Sequence, residues 1–222
     1  MINGLKKIIR KRYNISFSKS GDDIQINKLI NKQTPGVYVD IGCWDPIKAS
    51  NTYYFSLREW KGICIDPNPE LGKLYKKYRP KDYFINAAIG NSETNLDYYF
   101  LEESSMNTMS FDFIKKHGLE DKIIKKVSIP VYSLKSILDK HIQVNDRLDF
   151  FDVDAEGYDL EILKTNDWEK YRPKVVLVES DIPIKNDITS NIVTYLESKE
   201  YTLMGKSIIN GDLGNLFLVS NY

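Results

Sequence analysis

The sequence predicts an α/β protein with a doubly wound, mostly parallel sheet closed by a C-terminal antiparallel hairpin. Three observations carry this. Residues 37–68 read as strand, polar loop, helix and parallel strand, the unit from which such sheets are built, and each strand ends on an acid, Asp40 and Asp66. Residues 147–163 repeat the pattern and lead to a strand at 174–179 whose interior, 175–178, is fully apolar, as a buried parallel strand requires. Near the end, two β-rich runs flank Asn210-Gly211, a hairpin signal.

In chain order, Met1 to Asn14 carries Lys6, Lys7, Arg10, Lys11 and Arg12 with no acid, and Ile2, Leu5, Ile8 and Ile9 share one helical face. Two readings stand: weak peripheral contact with an anionic membrane surface, or a solvated helix packed by its apolar side, which is preferred. Asp23 is expected to cap a helix over 24–32, and Thr34-Pro35-Gly36 turns the chain into the first strand. The helix after the first loop is expected over 51–60, and another over 70–78 follows the break at Pro67-Asn68-Pro69. A third strand spans 82–85. Residues 96–101 and 126–131 read as strands flanking a helix at 111–117 that Gly118 ends. The polar loop 104–109 is either a wall of the site or a surface linker. Ser133 caps a helix through Lys140, and a further helix is expected over 188–198.

In open α/β sheets ligands bind at the carboxyl ends of the strands, and an acid ending the second strand is the usual partner of a ribose hydroxyl pair. A dinucleotide fold needs G-x-G-x-x-G so that backbone can close on a pyrophosphate. Here Gly42 stands alone, Trp44 obstructs the approach, and Pro46 lacks an N–H. S-adenosylmethionine carries ribose and adenine without phosphate, so this loop favours a methyl donor over a nicotinamide.

VDIGCWDPIKASNTYYF, GICIDPNP and FFDVDAEGYDLEIL resemble the FkbM-type S-adenosylmethionine-dependent methyltransferases over roughly residues 16–179. The resemblance implies a Rossmann-like class I methyltransferase fold, with residues 16–222 as one methyltransferase domain behind a basic segment at 1–15. It implies an O-methyltransferase acting on a saccharide hydroxyl, in polysaccharide biosynthesis, in the cytoplasm. Implied cofactor positions are Asp40, Gly42, Trp44, Ser50, Asn51, Asp66, Pro67, Asn86, Ala87 and Asp154, with Asn86-Ala87-Ala88 beside the adenine. Relatives commonly carry a His where this chain has Trp44 or Asp45, so no catalytic role of that His carries over. The alternatives are an NAD(P)-dependent oxidoreductase and a non-catalytic binding module that retained the fold.

Catalytic candidates are Asp154, Glu156 and Asp45, since a neutral sugar hydroxyl needs a base. Asp154 is expected to face the cleft and Glu156 to turn with the following helix. Their alternative is to cap that helix, and Asp45's is to cap its loop. A divalent metal is not expected; Asp154, Glu179 and Asp181 would be its ligands. His117 and His141 fall at helix ends. Trp44 is placed in the site and Tyr54 in the core.

Composition narrows the rest. Lys+Arg and Asp+Glu are both 31, giving net charge 0, so no bulk field argues for nucleic acid. No apolar run approaches the ~20 residues of a membrane span. Cys43 and Cys64 are too few for a disulfide framework and are expected reduced.

Overall fold

The structure, a computed structural model, describes residues 15–31, 34–91, 94–143 and 147–222. The basic segment expected at the N-terminus lies outside the described residues but for Ile15. A seven-stranded sheet runs in the order β3 (Tyr83–Ile85), β2 (Lys61–Ile65), β1 (Val37–Ile41), β7 (Leu148–Val153), β8 (Val175–Ser180), β10 (Leu213–Ser220), β9 (Tyr201–Asn210). The first five are mutually parallel; β10 runs antiparallel to β8 and pairs with β9 as the closing hairpin.

Side chains alternate across each strand, so the two faces bury different sets. Val39, Ile41, Ile63, Phe151, Val153 and Val178 belong to one apolar cluster. Tyr38, Cys64, Phe150, Leu177 and Phe217 belong to the other. Two residues further along, this second face turns polar: Asp40 pairs with Asp152 across β1 and β7, and Glu179 with Asn215 across β8 and β10. Apolar positions fix the sheet, and their polar continuation at the strand ends makes the site.

Helices α1 (Asp22–Ile30), α2 (Tyr53–Ser56), α3 (Leu71–Tyr78), α5 (Leu134–His141), α6 (Asp159–Lys164), α7 (Ile184–Asp187) and α8 (Asn191–Glu197) link the strands. A separate sheet, β4 (Ala88–Ile89), β6 (Ile123–Tyr132) and β5 (Asn95–Leu101), is inserted after β3, with α4 (Phe111–Lys116) between its long strands. No helix among the described residues is long and apolar enough to cross a membrane.

Several expectations are corrected. The helix expected over 51–60 stops at Ser56, because Glu59 turns left-handed (φ 66°) and Trp60 folds back to donate its N–H to the Phe55 carbonyl. This brings the Phe55 and Trp60 rings within 5.0 Å. Asp23 does not cap α1; it lies in the first turn, where its buried carboxylate accepts from Ser16 Oγ and Phe17 N, both at 2.7 Å, and fastens the preceding strap. Residues 188–198 hold only α8, capped by Ser190, while Ile188 is exposed. Ser133 does cap α5, accepting from Ser136 N at 3.1 Å.

Candidate active site

The loop after β1 is shaped by close approach. Gly42 has φ 78°, and a Cβ there would stand 1.7 Å from the Asp154 carbonyl oxygen, so only glycine fits. Trp44 is also left-handed (φ 36°), an uncommon conformation for a bulky residue. Its indole donates to Ser104 Oγ at 3.1 Å, tying the loop to the inserted segment. Asp45 is a loop cap: one carboxylate oxygen accepts from Ile47 N at 2.8 Å and Lys48 N at 2.7 Å. Asp45 also lines a cavity at this loop. Ser50 Oγ accepts from Tyr53 N at 3.1 Å, Asn51 Nδ2 donates to Asp152 at 3.2 Å, and Thr52 donates to Asp40. Burial pushes Asp40 up to about 6, against the pull of Arg79, 3.9 Å away, and of Thr52.

Two cavities meet at this loop, sharing Gly42, Trp44, Ser105, Asp154 and Glu156. The first, about 500 Å³, is walled by Ile41, Ile65, Ala87, Ile89 and Met109, with Asp66 and Pro67 at the end of β2. Its walls suit a flat apolar base, and Asp66 supplies the acceptor that a ribose requires. Burial raises Asp66 to about 6, while the N–H groups of Asn68 (2.8 Å) and Trp44 (3.2 Å) favour its charged form. Asn86 departs from expectation: its amide donates to the Asp66 carbonyl at 3.0 Å and its side chain is absent from the wall. The loop 104–109 is a wall of this cavity. The second cavity, about 620 Å³, is polar and lined among others by Lys19, Asp22, Asp40, Lys48, Ser50 and Asn51. Together they form a cleft with one apolar and one polar end.

After β7 the chain turns through Asp154-Ala155-Glu156-Gly157, with Glu156 and Gly157 both left-handed (φ 49° and 84°). Asp159 holds the turn by accepting from Ala155 N at 2.8 Å and Gly157 N at 3.2 Å. No side chain caps α6, so neither Asp154 nor Glu156 serves as its cap, and Asp159 fastens the turn that leads into it. Glu156, expected to turn away with the helix, stays in the cleft, its carbonyl held by Thr108 Oγ1 at 2.8 Å. Asp154 Oδ1 is buried without a hydrogen-bond partner among the described residues. Asp154, Glu156 and Glu179 bring carboxylate oxygens within 4.8 Å of one another, a set that a divalent ion would fit. Burial, then repulsion from neighbouring carboxylates (Asp159 first for Asp154, Asp154 first for the two glutamates), raises Asp154 to about 7, Glu156 to about 9 and Glu179 to about 11, with Lys19 opposing. Asp181 is not in the set: it pairs with Lys116 at 2.5 Å and His117 at 3.1 Å. His141 ends α5, away from both cavities, and Tyr54 is core. Cys43 and Cys64 are buried and free.

Sequence reasoning missed Lys19, Asp22, Asp152, Asp159 and Arg79. Asp152 was findable, since residues two apart on a strand share a face with Asp154. Asp159 had a signal too, an acid set to receive N–H groups at a helix start. Arg79 had none, and it is the largest fully buried side chain, bonded to Asp82, Thr52 and Tyr38.

Residues 40–203 match the family model of the methyltransferase FkbM domain. No curated protein matches the chain. Among solved structures, the METTL16 MTase domain aligns with a TM-score of 0.51 at 13% identity, covering 90% of this chain and 66% of that one. Precorrin-6y C5,15-methyltransferase from Geobacter metallireducens aligns at 0.49 and 12% identity, covering 90% and 87%. At such identity the first likeness shows a shared class I methyltransferase fold and nothing finer.

Proposed function

The chain belongs to the FkbM methyltransferase family, and from that premise we propose that it methylates a hydroxyl oxygen of a saccharide. The enzyme is S-adenosylmethionine-dependent, which removes the nicotinamide alternative. The donor, when bound, supplies a methyl group made electrophilic by its sulfonium. The observation that carries the reading is the joining of an apolar cavity, with Asp66 at its end, to a polar one at the Asp154–Glu156 turn. Ile41, Ile65 and Ala87 would flank the base and Asp66 the ribose hydroxyls. The polar cavity would take the amino-acid tail.

Methyl transfer to a neutral hydroxyl needs alignment and a proton acceptor. Asp154 has a buried oxygen with no hydrogen-bond partner among the described residues, at the junction of the cavities, so it would take the acceptor's proton. Glu156 and Glu179 stay protonated beside it at neutral pH and would orient further hydroxyls. A wall of carboxyl groups suits a polyhydroxylated ring, whose hydroxyls both donate and accept.

The test is incubation with methyl-labelled donor and a panel of nucleotide sugars and oligosaccharides. Label should enter the saccharide as an alkali-stable ether. Alkali-labile label on a carboxyl group, or label on an amine, would overturn the hydroxyl reading.

A further inference from the structure

We infer that Asp22 anchors the α-ammonium group of the donor's methionyl tail in the polar cavity. This rests on the donor reading above and adds a residue from outside the strand-end motifs.

Asp22 lies in the first turn of α1, is 1% exposed and lines the polar cavity. One carboxylate oxygen is fully served: Oδ2 accepts from Ser20 Oγ at 2.6 Å and from Asn215 Nδ2 at 3.2 Å. The other, Oδ1, is buried with no partner among the described residues. A buried carboxylate oxygen lacking a donor is unfavourable, so the ligand of the cavity is its natural source. A cation answers this better than a hydroxyl does. Asp152 lines the same cavity, and a charged donor makes a stronger hydrogen bond to a carboxylate than a neutral one does.

The same cavity carries Lys19 and Lys48, neither of which forms an ion pair among the described residues. Carboxylate oxygen short of a donor and ammonium groups short of an acid are the complement of an α-amino-acid zwitterion. Asp22 is not one of the three carboxylates, Asp154, Glu156 and Glu179, that converge on one another, so its task separates from acceptor activation. Its placement depends on the fold closing: Asn215 sits on β10, and Ser18 Oγ receives the Asp22 N–H at 2.7 Å as the strap turns into α1.

Calorimetry with two probes tests this. S-adenosylhomocysteine carries the tail, whereas 5′-methylthioadenosine lacks it. Asp22→Asn should weaken the first by about 10-fold or more and leave the second unchanged. Equal binding of S-adenosylhomocysteine by variant and wild type, or equal loss for both probes, would overturn the role of Asp22 alone. If wild type binds neither probe, the donor reading falls and the inference with it. A second measurement needs no variant: the deaminated analogue, which keeps the carboxylate, should bind wild type at least about 10-fold more weakly than S-adenosylhomocysteine. Equal affinity there also overturns the inference.

Discussion

The backbone N–H of Trp44 donates to Oδ2 of Asp66 across 3.2 Å, so the loop after the first strand orients the acid after the second. Asn68 N holds Oδ1 at 2.8 Å, and the pair of N–H groups fixes the carboxylate plane at the cavity wall. The left-handed Trp44 backbone thereby sets the orientation of an acid on the cavity wall, and this is how a loop with one glycine shapes a site.

Removing that carboxylate should weaken S-adenosylhomocysteine binding. Hydrogen bonds to a charged group contribute about 1.5–3 kcal/mol, which corresponds to roughly 10- to 150-fold in affinity for Asp66→Ala. Calorimetry is the check. Affinity unchanged in a folded variant would remove Asp66 from the ribose.

Arg79 offers a prediction about stability. Its guanidinium reaches Asp82 at 2.6 Å, Tyr38 Oη at 2.5 Å, Thr52 at 3.0 Å and Cys64 Sγ at 3.3 Å, with no solvent access. Breaking a buried pair by deleting one partner costs about 3–5 kcal/mol, since the other charge is left behind. Arg79→Met should lower the denaturation midpoint accordingly. A loss under about 1 kcal/mol would contradict a structural role for this buried pair.

Stability should also depend on pH in a direction opposite to that of most carboxylates. Asp154 rises from 3.8 to about 7 and Glu156 from 4.5 to about 9, so the folded state holds protons that the unfolded chain releases. Their stabilisation is fully present below about pH 4 and is lost as pH climbs through 7 and then 9. The ligand-free protein should therefore melt at a higher temperature at pH 5.5 than at pH 8.5, and Glu156→Gln should narrow the gap. A wild-type melting point that rises with pH over this window contradicts the raised values.

Much of this site was legible because a parallel strand announces itself twice, by its apolar run and by the acid that follows. Val37 to Asp40, Cys64 to Asp66 and Phe150 to Asp154 all follow that rule. What the sequence hid depends on contacts between distant segments. Asp22 meets Asn215 across 193 positions, and nothing local marks either as a partner. Asp159 binds the N–H groups of the turn before it because that turn is left-handed, a backbone choice that Glu156 does not reveal by type. The 51–60 stretch failed as a helix because burying Trp60 against Phe55 outweighed helical spacing.

The last prediction concerns which carboxyl group takes the acceptor's proton. Near pH 7.5 Asp154, at about 7, is mostly ionised, whereas Glu156, at about 9, is mostly protonated. Only the ionised group can act as a base, so Asp154 is assigned the role and Glu156 the supporting one. Asp154 Oδ1 also has no hydrogen-bond partner among the described residues, whereas one oxygen of Asp45 is engaged by two N–H groups. Asp154→Asn keeps the shape and removes the basicity. It should lower kcat about 100-fold or more with affinity for S-adenosylhomocysteine little changed. Glu156→Gln should cost less, and the wild-type rate should rise with pH through about 7 as Asp154 ionises. Chelator should leave the activity intact. Should chelator abolish it and Mg²⁺ restore it, Asp154, Glu156 and Glu179 would be metal ligands, and the hydroxyl would be acidified by the ion instead. Full turnover by Asp154→Asn would exclude both roles and leave the acid as part of the turn's framework.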